Sequence, residues 1–94
     1  MSTFFLFGRY TEQAVKEISP KRTEKTSELV QKLGGQLKSA YALLGDYDLV
    51  LIVDLPGIEQ AIKCSLSLSK MTSISFTTAP AIPVEQFDKL AANV

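Results

Sequence analysis

The sequence predicts an α+β fold: a four-stranded antiparallel sheet with helices on one face, in the chain order β-α-β-β-α-β. Three observations predict it. Four short segments carry the alternating or continuous apolar pattern of strands. Two segments between them carry helical periodicity and recognisable caps. Gly and Pro fall at the junctions, where the chain has to turn. The 94 residues suit a single domain over 1–94. A domain of this size buries only about 60–65% of its unfolded surface, so its core is small.

Thr3 to Arg9, with the run Phe4-Phe5-Leu6-Phe7 ahead of Gly8, reads as the first strand. Thr11 is an N-cap for a helical start containing Glu12, Lys16 and Glu17. Ser19-Pro20 interrupts it and restarts a helix, since Pro suits the first helical position. That helix runs from Pro20 to about Leu33 and stops at Gly34-Gly35. Gln36 to Leu44 reads as the second strand, with Leu37, Tyr41 and Leu43 on one face and Ala40, Ala42 and Leu44 on the other. Gly45-Asp46 supplies a hairpin-type turn into a third strand, Tyr47 to Leu55, which Pro56-Gly57 closes. Ile58 to about Lys70 reads as a helix with Ile58, Ile62, Ser65 and Ser69 inward and Cys64 at the boundary. Ser73 to Ala79, rich in β-branched residues, is the fourth strand. Pro80 and Pro83 bracket a connection, and residues 83–93 form a C-terminal helical tail. The whole order is the ferredoxin-like split βαβ arrangement.

Two helices cover one face of such a sheet, and a monomer needs the other face polar. Here it is not. Leu49, Leu51 and Val53 point one way in the third strand, Val50 and Ile52 the other, and in the first strand Phe5 and Phe7 oppose Phe4 and Leu6. The expected remedy is a second copy stacked sheet on sheet, a dimeric α+β barrel, with assembly beyond the dimer left open. The alternative is that the terminal segment Pro80–Val94, through Val84, Phe87, Leu90 and Ala91, folds over the open face.

Composition excludes several classes of function. There is no His, so triads that use it and His-ligated metals are absent. One Cys builds neither an intrachain disulfide nor a thiolate cluster, and suits a reducing cytoplasm. Ten basic and ten acidic side chains cancel, which disfavours nucleic acid and anionic membranes as partners. No apolar run is long enough to span a membrane, and the N-terminal one lacks the basic flank of a signal peptide. No cofactor and no metal are expected.

Gly45-Asp46-Tyr47-Asp48, followed by an apolar strand and Pro56, resembles the signature of the GYD domain family. Thr11-Glu12-Gln13, Lys16, Ser19-Pro20-Lys21-Arg22 and Leu33-Gly34-Gly35-Gln36-Leu37-Lys38 follow that family's order and spacing, so the resemblance runs from Phe4 to about Phe87. It implies the fold of the dimeric α+β barrels and no established activity. More widely, the pattern is similar to the effector-binding domain of the leucine-responsive (Lrp/AsnC) regulators. In those, the loop beside the Gly-Asp turn helps bind amino-acid-like effectors between dimers. No helix-turn-helix precedes it in these residues, so the resemblance implies a stand-alone version. Two departures stand out. Ala40 and Ala42 flank Tyr41 where the family tends to place aromatics, and Pro80 sits where a strand usually continues. These open a pocket beside Tyr41 or mark a different partner surface.

Five residues form the candidate ligand-binding set: Arg22, Tyr41, Asp46, Tyr47 and Asp48. Arg22 falls on the core-facing stripe of its helix, where a guanidinium is placed to pair with a carboxylate ligand or an internal Asp. Asp46 and Asp48 flank Tyr47, and either cap the turn or, at Asp48, supply a general base. Tyr10, Tyr41 and Tyr47 each join an apolar body to a polar end and suit a cavity wall or a dimer interface. No catalytic residue is assigned. The readings rank as a small-molecule-binding or oligomerising module first, a protein-interaction subunit second and a cofactor-independent isomerase or monooxygenase third.

Overall fold

A computed structural model describes residues 1–94. The elements are β1 (Ser2–Tyr10), α1 (Glu12–Lys16), α2 (Pro20–Lys32), β2 (Gln36–Ala42), β3 (Leu49–Leu55), α3 (Ile58–Thr72), β4 (Ile74–Ala81) and α4 (Val84–Ala92). The strands form one antiparallel sheet in the order β2-β3-β1-β4. That is the ferredoxin-like topology, with the two long helices α2 and α3 on one face.

Local chemistry explains the boundaries. Thr11 Oγ1 accepts from Ala14 N at 3.1 Å to start α1, and donates to Ser73 O at 2.8 Å, which ties it to the end of α3. Ser19 Oγ accepts from Arg22 N at 3.2 Å, and Pro20 opens α2. Beyond α2, Gly34 takes φ +85°, a conformation that side chains disfavour. Gly35 follows for a different reason: a Cβ there would run into the Asp54 carbonyl oxygen, so only glycine lets the chain enter β2 beside β3.

The core lies between helices and sheet. Phe4, Leu6, Leu51, Val53 and Leu55 meet Val30 from α2 and Ala61, Cys64 and Leu68 from α3. This corrects the expected inward stripe of α3. Ile58 and Ile62 are 67% and 54% exposed, while Ala61, Cys64, Leu68 and Thr72 are buried. The buried positions recur at three and four residues as a helix requires, and Ala61 and Cys64 are small enough to let α3 lie close to the sheet. Cys64, expected at the boundary, is fully buried.

Two further expectations change. Tyr47 and Asp48 lie outside β3, in a six-residue connection (residues 43–48) rather than a two-residue turn, with Leu43 N donating to Asp48 O at 2.9 Å. And β4 continues through Pro80 to Ala81, with Pro80 opposite Phe4. A proline is tolerated there because β4 is an edge strand and its missing N–H can point away from the sheet.

A bulge corrects the facing of β2. Leu37 pairs with Val53, but Ser39 pairs with Ile52, so Lys38 is the extra residue. Leu37 therefore packs against the core, whereas Tyr41, paired with Val50, lies on the opposite face. Strict alternation across the whole strand places the two together; one inserted residue separates them.

Candidate functional site

The face of the sheet turned away from the helices is built from alternate residues of all four strands. The registers place Tyr41, Val50, Phe7 and Thr77 in one row across it, and Ser39, Ile52, Phe5 and Ala79 in the next. Phe5 and Phe7 are half-buried with ring centroids 6.1 Å apart, and Val50, between Phe7 and Tyr41, is buried. Tyr41 is 59% exposed. Nothing in the chain covers this surface: α4, the alternative cover considered above, has no buried residue.

Both ends of the apolar band are polar. At one end Thr3 Oγ1 donates to Asp54 Oδ1 at 2.7 Å, and Lys38 Nζ lies 3.5 Å from Asp54 Oδ2. At the other, the Tyr47 ring packs on Phe7 with centroids 5.2 Å apart, and the Arg9 guanidinium lies 5.0 Å from the centre of the Tyr47 ring. An apolar centre with a polar rim is the anatomy of a protein interface.

The chain's exposed area supports the same reading. A monomer of 10.3 kDa is expected to expose about 5,400 Å². This chain exposes 6383 Å², about 1,000 Å² more. A stable interface takes about 800 Å² from each partner.

The five residues singled out in the sequence do not share one cavity. Tyr41 and Tyr47 belong to the open face. Asp46 is exposed at the tip of the β2–β3 connection beside Gly45, whose φ is +131°. Asp48 acts as a latch: its Oδ2 accepts from Tyr10 N at 2.9 Å and its own N–H donates to Gly8 O at 2.8 Å. These bonds fasten the connection to the end of β1. Arg22 stands on the helix side, half-buried, with Nη1 donating to Ala14 O at 2.6 Å and its guanidinium 5.5 Å from the centre of the Tyr10 ring.

Arg22 is the one member of the set that lines a cavity. On one side Arg22 borders an open polar depression of about 240 Å³ with Glu17, Ser19, Lys21 and Lys25. On the other, a crevice of about 60 Å³ lies between it, Tyr10, Thr26, Thr72, Ile74 and Phe76. That volume accommodates a few waters, while pockets for small-molecule ligands run to about 300 Å³ and more. Thr26 Oγ1 donates to Arg22 O at 2.9 Å, and Thr72 Oγ1 donates to Leu68 O at 2.6 Å and accepts from Ile74 N at 3.2 Å. Both hydroxyls are thus committed to backbone. Tyr10 is the residue that sequence reasoning undervalued. Its ring meets Arg22 and its N–H meets Asp48, so it joins two residues that 26 positions separate in the chain. The signal available was its place at the end of an aromatic-rich strand. No three Cys, Asp or Glu side chains gather closely enough to hold a metal ion, and no helix is long and apolar enough to cross a membrane.

Fold and surface together define a class: small α+β domains with a helix-covered core and an uncovered apolar sheet face. Within that class the chain belongs to the GYD domain family, whose model matches residues 4–91. It is 29% identical over 87 residues to the "glutamine synthetase and cystathionine beta-lyase binding protein" of Thermus thermophilus, across 89% of this chain and 92% of that protein. Among solved structures, it resembles the leucine response regulatory protein of Mycobacterium tuberculosis, with a TM-score of 0.58 and 8% identity over 87% of this chain. It also resembles an AsnC family transcriptional regulator from Agrobacterium tumefaciens, with a TM-score of 0.56 and 22% identity over 86% of this chain. The chain spans about half the length of these regulators, at 51% and 50%. At such identities the likeness establishes the fold, the one expected from the Lrp/AsnC resemblance.

Proposed function

We propose that this chain is a protein-interaction module that works as a homodimer joined through its open sheet faces. The carrying observation is the uncovered band of Phe5, Phe7, Tyr41, Val50 and Ile52, polar at both ends. Stacking two such bands closes a barrel and supplies the apolar burial that a 94-residue chain lacks alone. Tyr41 and Tyr47 then act as interface residues, and Arg22 and Asp48 hold the protomer in shape.

The related Thermus protein is named for binding two enzymes, and that kinship supports a protein as the partner here. The outer side of α3 offers a surface for it. Ile58, Ile62 and Leu66, four residues apart and 67%, 54% and 59% exposed, form an apolar stripe that remains outside a sheet-to-sheet dimer. The fully buried thiol suits a cytoplasmic setting. The crevice beside Tyr10 is too small for an amino-acid ligand, and the larger depression beside Arg22 is a shallow polar surface lined by Glu17, Ser19, Lys21 and Lys25.

Light scattering on a size-exclusion column tests the dimer. The expected mass is twice the 10.3 kDa of the chain across micromolar dilutions. Ile52→Asp, which places a carboxylate at the centre of the band, is expected to elute as a folded single chain. A parent protein that elutes at single-chain mass overturns the proposal.

A further inference from the structure

The C-terminal helix is the part of the fold least explained by its own chain. Nine residues, Val84–Ala92, form α4, which has no side-chain N-cap bond and buries none of its residues. Helices this short are marginal in water unless their apolar face is packed. Such a face exists. Val84, Phe87 and Leu90 recur every three residues and are 70%, 57% and 56% exposed. The molecule is also elongated. The chain extends 48 Å along its longest axis with a radius of gyration of 14.1 Å, against about 12 Å for a compact domain of this length.

A matching hollow lies on the same chain. Thr3, Phe5, Ala81, Ile82 and Pro83 line a mostly apolar depression of about 220 Å³ at the β1–β4 margin of the open face. It adjoins the proposed sheet interface through Phe5. It sits at the root of α4, whose own apolar residues remain exposed beyond it.

Areas argue for joining the two features across a dimer. The chain exposes about 1,000 Å² more accessible surface than a monomer of its mass is expected to, above the roughly 800 Å² that one side of a standard interface takes. That surplus is large enough to take in the α4 stripe together with the sheet face.

We infer that α4 is an exchanged clasp: in the homodimer, each chain's Val84–Phe87–Leu90 stripe seats on the other chain's β1–β4 margin, with Phe87 entering the hollow beside Phe5 and Ala81. The inference rests on the sheet-to-sheet reading above, and two-fold symmetry makes the exchange reciprocal. It commits α4 to a second copy rather than to a foreign protein, because the complementary hollow belongs to this chain.

Two measurements on the full-length chain test it. In sedimentation equilibrium, the double variant Phe87→Asp/Leu90→Asp is expected to remain folded and to dimerise at least 30-fold more weakly than the parent, a difference of about 2 kcal/mol. The second measurement mixes a chain carrying Phe5→Cys with a chain carrying Phe87→Cys under mild oxidation. A covalent heterodimer is expected, and buried Cys64 gives no background. An unchanged dissociation constant, or a disulfide that forms within one chain when both substitutions are placed in it, overturns the clasp and leaves the sheet dimer standing. A parent that is monomeric throughout overturns both.

Discussion

Asp48 illustrates how one residue type in a turn answers to several chemistries. In sequence its carboxylate serves equally as turn cap, ligand partner or base. In the fold it accepts the Tyr10 N–H at 2.9 Å while its own backbone meets Gly8 and Leu43. Asp48→Ala should therefore lower stability by about 1–2 kcal/mol, the worth of a charge-assisted hydrogen bond that is half-buried. Asp48→Asn should recover part of this, because its amide oxygen still accepts. The shift in urea midpoint measures both. Cys64 makes the complementary point. Burial pushes its thiol from 9.0 up to about 11. A thiol reagent at pH 8 should leave it unlabelled until denaturant is added. Below pH 9 the thiol is protonated in both folded and unfolded chains. Between pH 9 and 11 only the unfolded chain ionises, so its contribution to stability is complete at pH 8 and falls as pH rises toward 11. Comparing urea midpoints of the parent and Cys64→Ala at pH 8 and about pH 10 isolates this slope.

At the scale of elements, the bulge at Lys38 decides which face β2 presents. Without an extra residue, Leu37 and Tyr41 share a face by simple alternation. With it, Leu37 joins the core and Tyr41 joins the open face. Deletion of Lys38 should be tolerated within about 2 kcal/mol, since the residues on either side already pair in regular register with β3. The loss includes its ion pair with Asp54, which is exposed on the lysine side and contributes little. Thermal melting and a retained dimer mass are the readouts. Collapse of the fold would show that the bulge is needed for the twist of the sheet as well as for facing. The same geometry explains α3, where hydrophobicity points to Ile58 and Ile62 but close approach to the sheet selects Ala61, Cys64 and Leu68.

For the whole molecule, the relevant quantity is the surface left over. Only 15 of 94 residues are buried, and the exposed area exceeds the expectation for a monomer by about the area of one standard interface side. A single chain thus has a helix-side core and an unfinished sheet side. The mass measurement on the parent and Ile52→Asp belongs to this scale. So does the α4 exchange, which concerns contacts that one chain cannot make alone.

The amino-acid sequence determined the order of elements, the caps at Thr11, Ser19 and Gly34-Gly35, and the existence of a two-faced apolar sheet. Each of these depends on residues close together in the chain, where period and cap chemistry act directly. It also carried the family, through motifs that fall in loops and helix ends. The tertiary structure alone decided which face Tyr41 occupies, which side of α3 is buried, and that Asp48 and Arg22 are both occupied by backbone atoms around Tyr10. Those outcomes depend on register, a one-residue bulge and contacts across the chain, and no local pattern encodes them. The open face was legible early because alternation in two strands already exposed it. That α4 leaves it uncovered became visible only once the helix had a position in space.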